Sequence, residues 1–307
     1  MKKVVLVSVF LVLAAVSVSC KANKGDSKMK TDYIRNGIAF DCPDTVKLEQ
    51  PKVKLGEVKH VMYHSTTCGR DRGMSILLPA SYDGTKKFPV VYFQHGIFGD
   101  EYCMINDEKN AFRQVTANLA AQKEAKEFIM VFGHMYASTD PNQKPSFKQE
   151  DVLPYDNYIN ELINDIMPYI ESNYAVLTGR ENTAICGFSM GGRESLYIGL
   201  NRSDLFGYIG AIAPAPGLVP SKDWAMSHPG MMQESELHFK EGNPLPEFLM
   251  VCCGTQDSVV GQFPKTYHRI LETNKVEHTW FEVLNADHND LAIRSGFCYF
   301  AMNIFQK

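Results

Sequence analysis

Each thing this chain lacks closes off a class of function. Lysine and arginine total 31 against 35 aspartates and glutamates, a net charge of −4 over 307 residues. There is no basic patch or stripe of the kind a nucleic-acid partner requires, so no such partner is expected. No two cysteines stand in C-x-x-C spacing, which argues against a cysteine zinc site. No internal repeat is visible, and beyond residue 18 no run is long and apolar enough to span a bilayer. What remains is the composition of an ordinary globular protein, long enough for one large α/β domain with a full core.

The first residues read as a targeting segment. Met1-Lys2-Lys3 is a positive start, and Val4 to Val18 is apolar and uncharged, about the length of a signal core. The run stops at Ser17-Val18-Ser19-Cys20, which is similar to a bacterial lipoprotein cleavage site, although Ser17 stands where that pattern prefers leucine. The expectation is a lipid on Cys20 as the sole membrane anchor, with an ordinary secretory signal as the alternative. Both place the mature protein outside the cytoplasm, in the periplasm, at the outer membrane of a Gram-negative cell, or secreted. Residues 21–45, rich in Lys, Asp, Asn and Ser, read as a flexible tether, and residues 46–307 as the folded domain. Of the cysteines after Cys20, Cys186, Cys252 and Cys253 lie in apolar runs as small hydrophobes, whereas Cys42, Cys68 and Cys103 lie in polar segments where pairing is open.

Strand and helix signals alternate along that domain. Val58 to Thr66 and Met74 to Pro79 form a hairpin pattern. Pro89 to Gln94 and Phe128 to Phe132 are continuous apolar runs, as strands covered on both faces require. A helical period runs over Ala111 to Lys126, and another over Tyr155 to Asn173, with a kink expected at Pro168. Strands follow before Ser189 and over Tyr208 to Ala213, Phe248 to Cys253 and His278 to Leu284. Helices are expected over Lys265 to Thr273 and Asn289 to Phe305. Such alternation predicts an α/β fold, a mostly parallel central sheet with helices on both faces.

The chemistry is concentrated in Gly187-Phe188-Ser189-Met190-Gly191. A short buried strand precedes this G-x-S-x-G and a helix start follows it, the strand–turn–helix context in which a serine hydroxyl is lifted clear of a sheet edge. A serine alcohol is a weak nucleophile unless a base lies within hydrogen-bond reach and an acid orients that base. Asp257 follows the strand ending Cys252-Cys253-Gly254, and His288 follows the next strand, so both fall at the carboxyl edge where open α/β sheets place their sites. Asp204, Asp287 and Asp290 are rivals for the acid, and His95 and His268 for the base. Asp204 sits at the wrong edge. Asp287 and Asp290 adjoin the histidine in sequence, a poor position from which to orient its ring. His95 is expected to prop its own loop and His268 to be solvated.

A developing oxyanion needs two N–H donors. Met190, directly after the serine, supplies one, and Ile97 in His95-Gly96-Ile97-Phe98-Gly99 is expected to supply the other. The aperiodic stretch from Gly217 to Asn243 holds Trp224, Met226, Met231 and Met232, which either wall an acyl pocket, with Trp224 as a substrate contact, or simply cover the core. His60 and His64 share one strand face but lack a carboxylate, so no metal is expected.

The stretches His64 to Glu101, Asn164 to Gly217 and Cys252 to Val260 resemble esterase D-like hydrolases, above all the feruloyl and acetylxylan esterases of carbohydrate esterase family 1. The resemblance covers nearly all of the expected domain. It implies an α/β-hydrolase fold with Ser189 as nucleophile, Asp257 as acid, His288 as base, Ile97 and Met190 as oxyanion donors, and no cofactor. It departs at Ala286-Asp287-His288, where the family usually has Gly-Gly-His, so that a carboxylate adjoins the base. The expected activity is removal of feruloyl or acetyl groups from plant polysaccharide. The alternatives are a broader esterase for small acyl groups, including siderophore esters, and a non-catalytic sugar-binding lipoprotein on the same fold.

Overall fold

The computed structural model describes residues 28–306. The expected signal segment, Cys20 and the first part of the expected tether lie outside the described residues. The strands are β1 (Ile34–Arg35), β2 (Ile38–Ala39), β3 (Glu57–Ser65), β4 (Arg70–Leu78), β5 (Val90–Gln94), β6 (Ile129–Gly133), β7 (Thr183–Phe188), β8 (Tyr208–Ile212), β9 (Ser221–Lys222), β10 (Ser227–His228), β11 (Phe248–Gly254) and β12 (Thr279–Val283). Ten of them form one sheet in the order β1-β2-β12-β11-β8-β7-β5-β6-β4-β3, while β9 and β10 pair as a separate hairpin. From β12 to β6 every neighbouring pair is parallel, and the β3–β4 hairpin joins antiparallel through β4 to β6. This is the mostly parallel sheet that the strand–helix alternation predicts, and the α/β-hydrolase fold that the resemblance implies.

Each central strand feeds two cores, because successive side chains leave opposite faces of a sheet. Val91 and Phe93 point into one cluster, with Phe112 and Val115 of the helix Phe112–Ala121 and Phe297 and Phe300 of the helix Asp290–Asn303. Val90 and Tyr92 point into the other, with Leu196 and Ile198 of the helix Met190–Asn201 and Tyr267 and Leu271 of the helix Phe263–Thr273. A strand buried on both sides has no polar face to show, which is why β5 and β6 read as unbroken apolar runs.

Two expectations are corrected. The long helix begins earlier, as Gln149–Asp156, breaks at Asn157, and passes through a wide π-type turn over Leu162–Ile166 before resuming at Met167–Asn173. Pro168 has no N–H to donate, and the wide turn sits directly ahead of it. Glu161 and Asp165 at this turn both reach the β3–β4 hairpin. Glu161 pairs with Arg72 at 2.7 Å, and Asp165 accepts from the N–H groups of Thr66 and Thr67 at 2.9 and 3.1 Å.

The second correction concerns the tether, which from residue 28 onward is part of the fold. The helix Lys28–Tyr33 leads into β1 and β2, and β2 extends the sheet parallel to β12, with Ala39 in register with Val283. Tyr33 Oη donates to Ser295 O at 2.9 Å, and the Asp41 carboxylate receives Arg294 Nε and Nη2 at 2.9 and 3.0 Å. The polar composition masked a few spaced apolar side chains, Tyr33, Ala39 and Cys42, that are buried here. The cysteines whose pairing was open, Cys42, Cys68 and Cys103, are free thiols. A chain starting at residue 46 is expected to melt at least about 4 °C below one starting at residue 21, because removing an edge strand and a buried tyrosine costs more than about 2 kcal/mol and a domain of this size loses about 2–4 °C per kcal/mol. Equal melting temperatures by calorimetry would restore the tether.

Candidate active site

Ser189 stands at the carboxyl end of β7, in the middle of the sheet, flanked by the loops that leave β5 and β8. Its backbone is left-handed, with φ 57° and ψ −118°, a conformation an L-residue adopts only when its surroundings hold it there. Three hydrogen bonds do so. Ser189 N donates to Ile212 O at 3.0 Å, and Ser189 O accepts from Arg193 N and Ala215 N at 3.0 and 2.9 Å. The glycines on either side serve close packing. A Cβ on Gly187 would lie 2.3 Å from Gly191 O, and one on Gly191 would lie 2.2 Å from Gln94 O, so neither position admits a side chain.

His288 and Asp257 are brought together. His288 Nδ1 lies 2.9 Å from Asp257 Oδ2, with the Asp257 side chain buried and that of His288 nearly so, and the other Asp257 oxygen accepts from Val259 N and Val260 N. The His288 ring packs against Phe188, the residue before the serine, at 4.4 Å between centroids. With Nδ1 engaged by the carboxylate, Nε2 is the ring nitrogen left for proton transfer.

The rival residues have other partners. Asp287 Oδ1 accepts from Ser258 N and His288 N, both at 2.8 Å, and these bonds hold its carboxyl below the usual carboxylate range. It therefore ties the Asp257 loop to the His288 loop through two backbone N–H groups and the Ser258 hydroxyl instead of orienting the ring. Asp204 pairs with Arg202 and Asp290 with Arg294. His95 is buried, its Nε2 accepts from Met135 N at 2.9 Å, and burial pushes its pKa down to about 4. It props the loop as expected. His268 is not solvated as expected, because Trp280 stacks on it at 4.8 Å and His278 lies 2.8 Å away.

The loop after β5 comes up against the serine, where a Cβ on Gly96 would lie 3.4 Å from Ser189 Cβ. The Ile97 and Met190 N–H groups have no protein acceptor among the described residues. Ile97 lies in the turn closed by Gly99 N to Gly96 O at 3.2 Å, and Met190 is the first residue of its helix, where an N–H has no intrahelical acceptor. Free donors beside a serine side chain are suited to receiving a negatively charged oxygen.

The aperiodic stretch holds the β9–β10 hairpin, with Trp224 at its tip and 79% exposed. Asp223 fixes this tip by accepting from Ala225 N, Met226 N and His228 Nε2 at 2.8, 2.7 and 3.0 Å. Met226 and Met232 pack against the core. Trp224 meets Phe147 edge-on at 5.2 Å, and Phe147 meets Phe98 edge-on at 5.2 Å, a row of partly exposed rings that ends on the Ile97 turn. Phe98 and Phe147 carried no signal in the sequence, because they lie in loops without periodicity. His60 and His64 bind Glu101 and Asp71 separately, and among the described residues no group of three His, Cys, Asp or Glu is arranged for a metal ion.

Comparison with known proteins places this geometry in context. The Esterase family model, described as “Putative esterase”, matches residues 65–286. An endo-1,4-beta-xylanase/feruloyl esterase of Xylanibacter ruminicola is 28% identical over 168 residues, and the match spans 52% of this chain but only 22% of that relative's length. A solved CE1 ferulic acid esterase of Anaeromyces mucronatus, in complex with ferulic acid, is 46% identical with a TM-score of 0.82, covering 86% of this chain and 96% of that one. An S-formylglutathione hydrolase of Agrobacterium tumefaciens superimposes with a TM-score of 0.61 at 16% identity over 84% of this chain and 99% of that one, a likeness of fold alone.

The two neighbouring aspartates separate by experiment. Asp257→Asn is expected to lower kcat on p-nitrophenyl acetate about 10⁴-fold, since the imidazole loses the partner that fixes its tautomer. Asp287→Asn, which touches only backbone N–H and the Ser258 hydroxyl, is expected to cost about tenfold or less. Steady-state kinetics on both variants check this, and the reverse order of losses would make Asp287 the acid.

Proposed function

Because the chain belongs to the Esterase family and is a carboxylic-ester hydrolase, we propose that it removes feruloyl or acetyl groups from plant polysaccharide such as xylan by a serine acyl-enzyme route. The observation that carries this reading is the Asp257–His288 bond, with the His288 ring packed on Phe188 next to Ser189, together with the unpaired backbone N–H groups of Ile97 and Met190. Ser189 Oγ attacks the ester carbonyl carbon as His288 Nε2 takes its proton. The carbonyl oxygen becomes an oxyanion held by the Ile97 and Met190 N–H groups. Collapse breaks the bond to the sugar oxygen, which leaves with the proton from the imidazolium. Water then attacks the acyl-serine, giving its proton to His288, and the carboxylic acid departs as Ser189 is restored. Every step is acid–base and nucleophilic chemistry by protein groups, and no cofactor is invoked.

The row of Phe98, Phe147 and Trp224 favours an aryl acyl group, or a sugar ring stacked on an aromatic face, over a bare acetyl. The bound ferulic acid of the Anaeromyces mucronatus relative supports the same choice. Trp224→Ala is expected to raise KM for feruloylated arabinoxylan oligosaccharide about tenfold and leave p-nitrophenyl acetate turnover within about twofold. A panel of feruloylated oligosaccharide, methyl ferulate, acetylated xylan and p-nitrophenyl acetate tests this. Equal losses on all four would remove Trp224 from substrate binding, and activity confined to p-nitrophenyl acetate would favour the broad esterase.

The proposal extends to location. A polysaccharide substrate lies outside the cell, which accords with the charged start, apolar run and Ser19-Cys20 of residues 1–20. We read Cys20 as the lipid-bearing residue and sole anchor. Cys20→Ala is expected to move the protein from the membrane pellet to the soluble fraction, and a wild-type protein already soluble would favour a plain secretory signal.

A further inference from the structure

The turn that carries the Ile97 donor has an unfavourable backbone, and one buried side chain holds it. Gly99 N donates to Gly96 O at 3.2 Å, closing a four-residue turn, and Phe98, its third residue, has φ 64°. A positive φ at that position, with Ile97 not among the positive-φ residues, defines a type II turn, whose third residue is normally glycine or asparagine. A phenylalanine there is strained, because its Cβ crowds the backbone at a positive φ. Flipping the peptide between Ile97 and Phe98 would give a type I turn, which a phenylalanine accepts without strain. Against that flip stands one hydrogen bond: Phe98 N donates to Tyr155 Oη at 3.0 Å, and Tyr155 is fully buried.

The next residue along the same helix braces the other donor. Asp156 pairs with Nη2 of the buried Arg193, which also pairs with Glu194, and Arg193 N in turn donates to Ser189 O. Two consecutive residues of the helix Gln149–Asp156 thus grip both sides of the oxyanion site, Tyr155 at the Ile97 turn and Asp156 at the helix that Met190 opens.

We propose that Tyr155 is a positioning residue for ester hydrolysis, its hydroxyl holding the strained turn in the shape that keeps the Gly96–Ile97 peptide against Ser189, so that the Ile97 N–H meets the developing oxyanion. This rests on the serine esterase reading above. An oxyanion forms only in the reaction, so loss of the lock lowers kcat and spares KM.

The test uses four forms of the full chain on p-nitrophenyl acetate: wild type, Tyr155→Phe, Phe98→Gly, and the double variant. Tyr155→Phe is expected to lower kcat on the order of 10- to 100-fold with KM within about twofold. Glycine adopts a positive φ without strain, so in the Phe98→Gly background the same Tyr155→Phe change is expected to cost less than about threefold. A merely structural tyrosine would cost the same in both backgrounds, and that result overturns the proposal, as does a Tyr155→Phe enzyme with wild-type kcat. Ser189→Ala is run alongside. If the wild type hydrolyses the ester and Ser189→Ala does not, a failed prediction for Tyr155 sinks only the lock. A wild type with no esterase activity removes the lock and the serine mechanism together.

Discussion

The left-handed backbone of Ser189 is the constraint on which the rest of the site depends. An L-residue at φ 57° persists only when hydrogen bonds and packing leave it no alternative. Here Ile212 O holds its N–H, the N–H groups of Arg193 and Ala215 hold its carbonyl, and glycines at 187 and 191 let the helix approach the β5 backbone. The sheet order follows the same need. β7 sits between β5 and β8, so the loops leaving those two strands are the ones that reach the serine. The loop after β5 brings Gly96 and Ile97, and the loop after β8 brings the Ala215 bond.

Asp257 and His288 arrive from the strands on the other side of β8 by the same logic. β11 and β12 run parallel to β8, so the loops that follow them open at the same edge. Asp257 and His288 meet at 2.9 Å, and Asp287 stitches their two loops together through Ser258 and the His288 N–H. Asp287 thus holds the backbone N–H of His288.

How much of this was legible in the sequence depended on how local the signal was. The elbow was legible because its glycines and serine are five consecutive residues between an apolar run and a helix. Asp257 and His288 were legible once the strands before them were recognised, since position at a strand end carries the information. The strands of the hairpin and the central sheet fell within a few residues of their expected limits. The segment from residue 28 to 45 was not legible, because Tyr33, Ala39 and Cys42 are too few and too spaced to show a period among charged neighbours, and their burial depends on Ser295 and Val283 far along the chain. Tyr155 and Phe98 were hidden for a related reason: a phenylalanine at a positive φ has no sequence signature, and the tyrosine that holds it is 57 residues away.

The central claim is that Ser189 is a nucleophile activated by its surroundings. The direct measurement is labelling of the folded protein with a fluorophosphonate, followed by mass spectrometry of its peptides. The account predicts a single stoichiometric adduct on Ser189 that is lost on denaturation before labelling and strongly slowed in His288→Ala. No adduct, an adduct on another serine, or labelling indifferent to His288 would contradict it.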